Sequence, residues 1–284
     1  MNKSLAPTAK GVVVCADDFG FNASVSLGIA DLATMERISA ASVMTLSDRW
    51  PQDVTLLQPL RQRIDVGLHL DWTSDFAMAA GHGMSLGQAM RRAVLRGFDI
   101  AQASSVIEQQ LDLFESHWQA PPDFVDGHQH VQQFDGIRQA LVAVLARRYA
   151  GHAQRPYLRI SRPPRGSMDV KSQVIAAMGA NALESIAFSA GLTSVATLLG
   201  TNNFKGDIGH YGTLMARWLA QAPPGSILMC HPALAAQPED AIGAARLKEF
   251  TYLRSPEFAL ALSRAQVSLI RGVSTGSPLK STRD

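Results

Sequence analysis

The chain has 284 residues, 46% of them hydrophobic and 18% charged, the balance of an ordinary globular protein and not of a disordered or fibrous one. Its 26 basic and 24 acidic residues leave a formal charge of +2 and are spread along the sequence, so no electrostatic footprint for nucleic acid or an anionic membrane is present. No run approaches the roughly 20 apolar residues that span a bilayer, and the opening MNKSLAPTAK is too short and polar for a secretory signal, which points to a cytoplasmic protein.

The length suits one domain over residues 1–284, since α/β barrels commonly fill this range as a unit; the ends, 1–10 and 276–284, are expected to fray. In chain order, GVVVCA reads as a buried strand, and SVSLGIADLATMER carries Val25, Ile29, Leu32 and Met35 at the spacing of a helix face. ISAASVMT reads as a second strand and RIDVGLHL, with Ile64, Val66, Leu68 and Leu70 alternating, as a third. Residues 71–83 have no clear period and are expected to form a loop, followed by helices over 86–95 and 100–117. DFVDGHQHV is a short strand running into polar residues, GIRQALVAVLARRYA a helix, YLRIS a fifth strand and RPPRGSMD a proline-broken loop. GSILMCHP is a late strand, residues 245–264 are helical, and QVSLI is a last strand. Alternating strands and helices of this kind imply an α/β fold with parallel strands.

Four of these strands end on side chains suited to chemistry: Asp17 and Asp18, His69, Asp126 with His128 and His130, and His231. Parallel strands bring their C-terminal ends out on one face, so residues distant in sequence converge there. Each has a plainer alternative. Adjacent acids after a strand also form turns or helix caps, and a lone histidine such as His69 is commonly a hydrogen-bonded core residue. DFG, although it matches a kinase triplet, is preceded by no glycine-rich or HRD loop. His128 and His130, two apart, point to one side if the backbone is extended. Pro232 biases His231 toward an extended conformation. His82, His117, His152 and His210 read as solvated, and Cys15 and Cys230, each ending an apolar run, as buried small hydrophobes.

ADDFG, VGLHL, VDGHQHV, the LRI run, MCHP and RLKEFTYLRS, in this order between residues 12 and 255, resemble the YdjC-like carbohydrate deacetylases. The resemblance implies a distorted (β/α) barrel similar to polysaccharide deacetylases, a divalent cation, and hydrolysis of the N-acetyl group of an amino sugar, oligosaccharide or glycolipid headgroup. It implies metal ligation by Asp18, His69 and His128, with Asp17 as catalytic base and His231 as general acid. Arg159 matches the arginine of the family's fifth-strand motif and is expected to pair with a site carboxylate or a substrate oxygen. Asp126 is expected to orient a ligating imidazole, His130 to line the pocket and Trp72 to stack on a sugar. Two imidazoles and a carboxylate suit zinc, cobalt or nickel by ligand softness, whereas family members have been assigned magnesium, so zinc and magnesium both stay open. A homodimer is a further expectation from the family.

Two departures stand out: Gln132 replaces a further histidine, and LDWTSDF differs from the family's threonine-rich stretch. Two other functions fit the same residues less well. A metal-dependent phosphoesterase would call for a glycine-rich or Arg/Lys anion cradle, which is not evident at the strand ends. A non-catalytic carbohydrate-binding barrel would need neither a base nor an acid.

Overall fold

The computed structural model describes residues 9–272. The elements run β1 (Lys10–Phe19), α1 (Ala23–Thr34), β2 (Ala40–Val43), α2 (Trp50–Leu57), β3 (Asp65–Leu70), α3 (Asp75–Ala79), α4 (Leu86–Val94), α5 (Ile100–Trp118), β4 (Phe124–Gly127) and α6 (Ile137–Arg148). They continue with β5 (Tyr157–Arg159), α7 (Val170–Ala177), α8 (Ala180–Ser189), β6 (Ser194–Val195), β7 (Leu198–Leu199), α9 (Ile208–Gln221), β8 (Ile227–Cys230), α10 (Gly243–Arg254), α11 (Pro256–Arg264) and β9 (Val267–Leu269). Of the ends expected to fray, residues 1–8 and 276–284 lie outside the described residues, while Lys10 is already paired with Val267 of β9. Residues 71–83, expected as loop, contain α3, which Ser74 caps through the amides of Phe76 and Ala77.

The strands pair in the order β6-β5-β4-β3-β2-β1-β8-β7, every neighbour parallel, with β9 added to the first residues of β1. The two ends of this order, β6 and β7, are separated only by Ala196 and Thr197, so a single stretch of chain borders both β5 and β8 and nearly closes the sheet into a barrel. The Leu198 amide donates to the Arg162 carbonyl at 2.7 Å across this seam.

Alternation along the strands divides the core in two. Val12, Val14 and Ala16 of β1, and Ile64, Val66, Leu68 and Leu70 in and before β3, pack outward against the helices in the larger cluster. Val13, Cys15, Ala40, Phe124, Tyr157, Ile227 and Met229 form a second cluster that fills the barrel. Parallel strands covered on both faces are buried throughout, which is why β1 and β3 read as nearly continuous apolar or small runs. The periodicity of β3 is thus the reverse of a surface strand. Its apolar residues face the helices, while Asp65, Gly67 and His69 face the interior. Gly67 leaves room for the Phe124 ring, whose atoms would lie 2.6 Å from a Cβ there. Above the apolar waist the same inward alternation places Asp17, Ser42, His69, Asp126 and Arg159 in one polar layer at the C-terminal mouth.

Candidate active site

Strict alternation would send Asp17 into the barrel and Asp18 out toward the helices. The backbone prevents this. Asp18 adopts φ 70°, in the left-handed region that L residues rarely visit. Pairing with β2 slips here, Ala16 facing Ala41 and Phe19 facing Val43, so β1 holds one extra residue: a β-bulge that turns both carboxylates into the mouth. The Ser26 hydroxyl accepts the Gly20 amide, and the Ser47 hydroxyl donates to the Gly20 carbonyl, fixing the chain as it leaves the bulge.

Asp18 divides its two oxygens. Oδ1 lies 3.0 Å from His128 Nδ1 and 3.3 Å from His69 Nε2, and Oδ2 lies 2.8 Å from the Arg246 guanidinium. One donor atom from each of Asp18, His69 and His128 falls within 4.8 Å of the others, close enough to surround a single ion. Asp126 Oδ1 is 2.6 Å from His69 Nδ1 and accepts a 2.5 Å bond from Ser42, so the ring is oriented with Nε2 toward Asp18. Burial works against a charge on His69, but Asp126, then Asp18 and Asp17, push its pKa up to about 10. Burial also opposes ionisation of Asp18, yet Arg246 and then His128 hold its carboxyl well below the usual range. A nitrogen–nitrogen–oxygen donor set, buried and with one ring already fixed from behind, fits a divalent cation.

Asp17 faces Arg159, which binds it through two parallel bonds of 2.6 and 2.7 Å and lies 2.9 Å from Asp126 Oδ2. Burial alone would raise the carboxyl of Asp17, but Arg159, with help from His69 and His231, brings it down to about 2. Cys15 sits 3.4 Å from Asp17. Burial pushes its thiol pKa upward, so it behaves as a core residue and not as a nucleophile.

The histidine pair departs from the extended geometry expected of it. Beyond β4 the chain enters a tight turn over His128–Gln133 in which Gln129 and His130 both have left-handed backbones, φ 53° and 64°. His128 therefore turns to Asp18, while His130 Nδ1 lies 2.9 Å from the Ser161 hydroxyl. Burial, then Arg159, lowers His130 to about 3, so this ring is neutral. Trp72, expected on a sugar face, is 2% exposed and packs edge-on against His82, and so offers no face to a ligand; a large apolar ring gains more from the core than from the rim. His82, expected to be solvated, is held in the same contact, its Nε2 3.2 Å from the Asp71 carbonyl.

His231 follows β8. Its backbone N–H donates to Glu249 at 2.6 Å, its ring meets Phe204 edge-on at 5.4 Å, and its Nδ1 is buried without a hydrogen-bond partner. It stands near enough to Asp17 to lower that carboxyl.

The family model described as YdjC-like protein matches residues 11–264, a span that contains every residue of this mouth. The chain belongs to the YdjC-like family. A carbohydrate deacetylase of Mus musculus is 27% identical over 146 residues, 47% of this chain and 46% of that protein, so the chain aligns with about half the length of this curated relative. Among solved structures, a cellobiose-phosphate cleavage candidate of Enterococcus faecalis V583 is similar over 94% of this chain and 99% of its own, at 17% identity and TM-score 0.68. The Xyl-CE4 domain of a multidomain xylanase from the hindgut metagenome of Trinervitermes trinervoides gives 8% identity and TM-score 0.51, over 95% and 94% of the two chains. A peptidoglycan N-acetylglucosamine deacetylase gives 10% and 0.50, over 95% and 93%. At these identities the structures establish the fold alone, an α/β barrel of the polysaccharide-deacetylase kind.

Two residues of this YdjC-like mouth that the strand-end pattern does not reveal are Arg246 and Glu249. Both lie in RLKEFTYLRS, and their i, i+3 spacing, which puts them on one face of α10, is the signal that could have exposed them. Ser42, inside the small-residue strand AASV, carries no such signal. Gln132, where the family's further histidine is missing, is buried and donates to the Arg159 carbonyl and Ser161, bracing β5.

Proposed function

We propose that this chain is a metal-dependent carbohydrate N-deacetylase, removing acetyl from an N-acetylated amino sugar. The observation that carries the reading is the convergence of Asp18, His69 and His128 at the barrel mouth, beside an ionised Asp17 and a His231 with an unpartnered ring nitrogen. Membership in the YdjC-like family and the curated deacetylase relative support the acetylated sugar as substrate class.

Asp18, His69 and His128 would hold a divalent cation. When bound, such an ion polarises an acyl oxygen and lowers the pKa of water at its open positions. Asp17, kept charged and fixed by both Arg159 bonds, presents a proton acceptor at the mouth; at a pKa of about 2 it is ionised throughout the physiological range and takes a proton only from an acidified donor. His231, near enough to Asp17 to act on its charge, would hand a proton from its ring to the departing amine. Glu249, gripping the His231 amide, fixes where that ring stands. Nitrogen-rich ligation favours zinc, cobalt or nickel over magnesium.

Acetate release from N-acetylglucosamine oligomers, measured after chelation and after readdition of zinc or magnesium, tests this directly. Activity lost with chelator and restored by one ion is expected. Asp17→Asn is expected to lower turnover by about 10²- to 10⁴-fold with metal uptake unchanged. Full activity in the chelated protein would remove the metal from the proposal, and metal loss in Asp17→Asn would reverse the roles of the two acids.

A further inference from the structure

Arg246 is 3% exposed and is held on three sides. Its Nη2 lies 2.8 Å from Asp18 Oδ2, its Nε donates to Asp240 at 2.6 Å, and its guanidinium stands 5.1 Å from the centroid of the Phe21 ring. Its carbonyl accepts the amide of Ala233, two residues beyond His231. A guanidinium keeps its charge at every relevant pH and cannot yield its place by losing a proton. Asp18 Oδ2 is therefore committed to Arg246, and Oδ1 alone faces the two imidazoles.

We infer that Arg246 is a positioning residue that restricts Asp18 to a single oxygen for the cation and holds cation affinity below what the three donors would otherwise reach. The inference rests on reading Asp18, His69 and His128 as metal ligands. A carboxylate free to close on an ion with both oxygens would fill a position needed by water or by the acyl oxygen, and would bind more tightly while reacting more slowly. Arg246 opposes this in two ways: it occupies the second oxygen, and it adds a positive charge beside the incoming ion. Binding of Arg246 and of a cation to the same carboxylate are linked, so whatever the ion loses to Arg246 is recovered when the guanidinium is removed.

The test is calorimetric titration of the metal-free full chain with Zn²⁺ and Mn²⁺, together with turnover on N-acetylglucosamine oligomers. Arg246→Met, which keeps the length of the stem, is expected to bind either ion at least about tenfold more tightly, because a unit charge at this range matters that much even at moderate screening, and to turn over more slowly. Arg246→Lys, which restores the charge, is expected to return affinity toward wild type. Asp240→Asn, which leaves Arg246 with Asp18 as its main anion, is expected to weaken binding several-fold. A residue that merely props up the fold would lower affinity and turnover together. A folded Arg246→Met with equal or weaker affinity overturns the inference. Should circular dichroism show that Arg246→Met is unfolded, Asp240→Asn decides: weaker binding supports the inference, and equal or tighter binding overturns it. Wild-type protein that takes up neither ion removes the metal reading itself and this inference with it.

Discussion

Asp17 and Asp18 are neighbours in sequence and strangers in electrostatics. Each has its own arginine, Arg159 for the first and Arg246 for the second, and the bulge between them sends their carboxylates to different partners. Arg159 sits fully buried between Asp17 and Asp126. Arg159→Met would leave both acids inside the barrel without their counterion, and a buried pair broken in this way costs about 3–5 kcal/mol. Urea denaturation at neutral pH is the measurement; a loss below about 1 kcal/mol would mean that water reaches these acids. Much at this scale could be read from the sequence. Asp17, Asp18, His69, Asp126, His128, His130 and His231 lie at or just beyond strand ends, where parallel pairing leads one to expect convergence, whereas Arg159 was legible only through the family resemblance. The arginine on Asp18 could not be read this way, because it comes from a helix, where no strand-end rule applies.

Elements set the aim of these side chains. The turn after β4 shows how far a backbone can depart from simple pattern reading. Two left-handed residues in succession, Gln129 and His130, break the period of two that an extended histidine pair requires, and nothing in the residue types of this stretch announces it. Helix α1 offers a cleaner case. Gly28 lies in its interior, where glycine costs up to about 1 kcal/mol relative to alanine, and the reason is packing: a Cβ there would stand 2.8 Å from the Leu234 amide nitrogen and 3.1 Å from Ala233. The chain leaving His231 runs directly over this position. Gly28→Val should therefore displace residues 231–234, lowering stability by about 1–3 kcal/mol. Turnover should fall more than metal affinity does, because the proposed cation ligands Asp18, His69 and His128 lie on β1, β3 and the turn after β4. Thermal melts combined with a metal titration distinguish this outcome from general unfolding, in which both would fall together. The sequence pattern also passes over β6 and β7, each two residues long, and over α2, α7, α8 and α9. Two-residue strands have no period to read, and α7 and α8 expose Val170, Val174 and Phe188, which blurs any apolar stripe.

Across the whole molecule the barrel is polar at both ends and apolar at the waist. The end opposite the mouth gathers Asp65, Asp123, Tyr157 and Arg271, with Arg271 Nε donating to Asp65 at 2.7 Å and Asp123 accepting the Val66 amide at 2.8 Å. Burial raises Asp123 to about 6, the Val66 amide opposing and Asp65 adding to the shift. Because the folded protein holds this proton more tightly than the unfolded chain, the contribution to stability is full below the unfolded value of 3.8 and is lost as pH rises through about 6. Asp123→Asn, whose side-chain carbonyl still accepts from Val66, should raise the melting temperature at pH 8, with the gain shrinking to nothing near pH 4. A gain that is the same at both values would place its origin outside the titration of this acid. Among the described residues no helix is long and apolar enough to cross a membrane.

The seam at residues 194–199 gives the ring a clasp. The chain that borders β5 on one side and β8 on the other does so with two short footholds, whereas β1 through β4 are stitched together along longer edges. Asp18, His69 and His128 all belong to the stitched arc, while His231 and its neighbour Phe204 ride beside the clasp. Loosening of the clasp would shift the wall that carries His231 and leave the wall that carries Asp18, His69 and His128 standing, so the two halves of the mouth differ in how freely they can move apart.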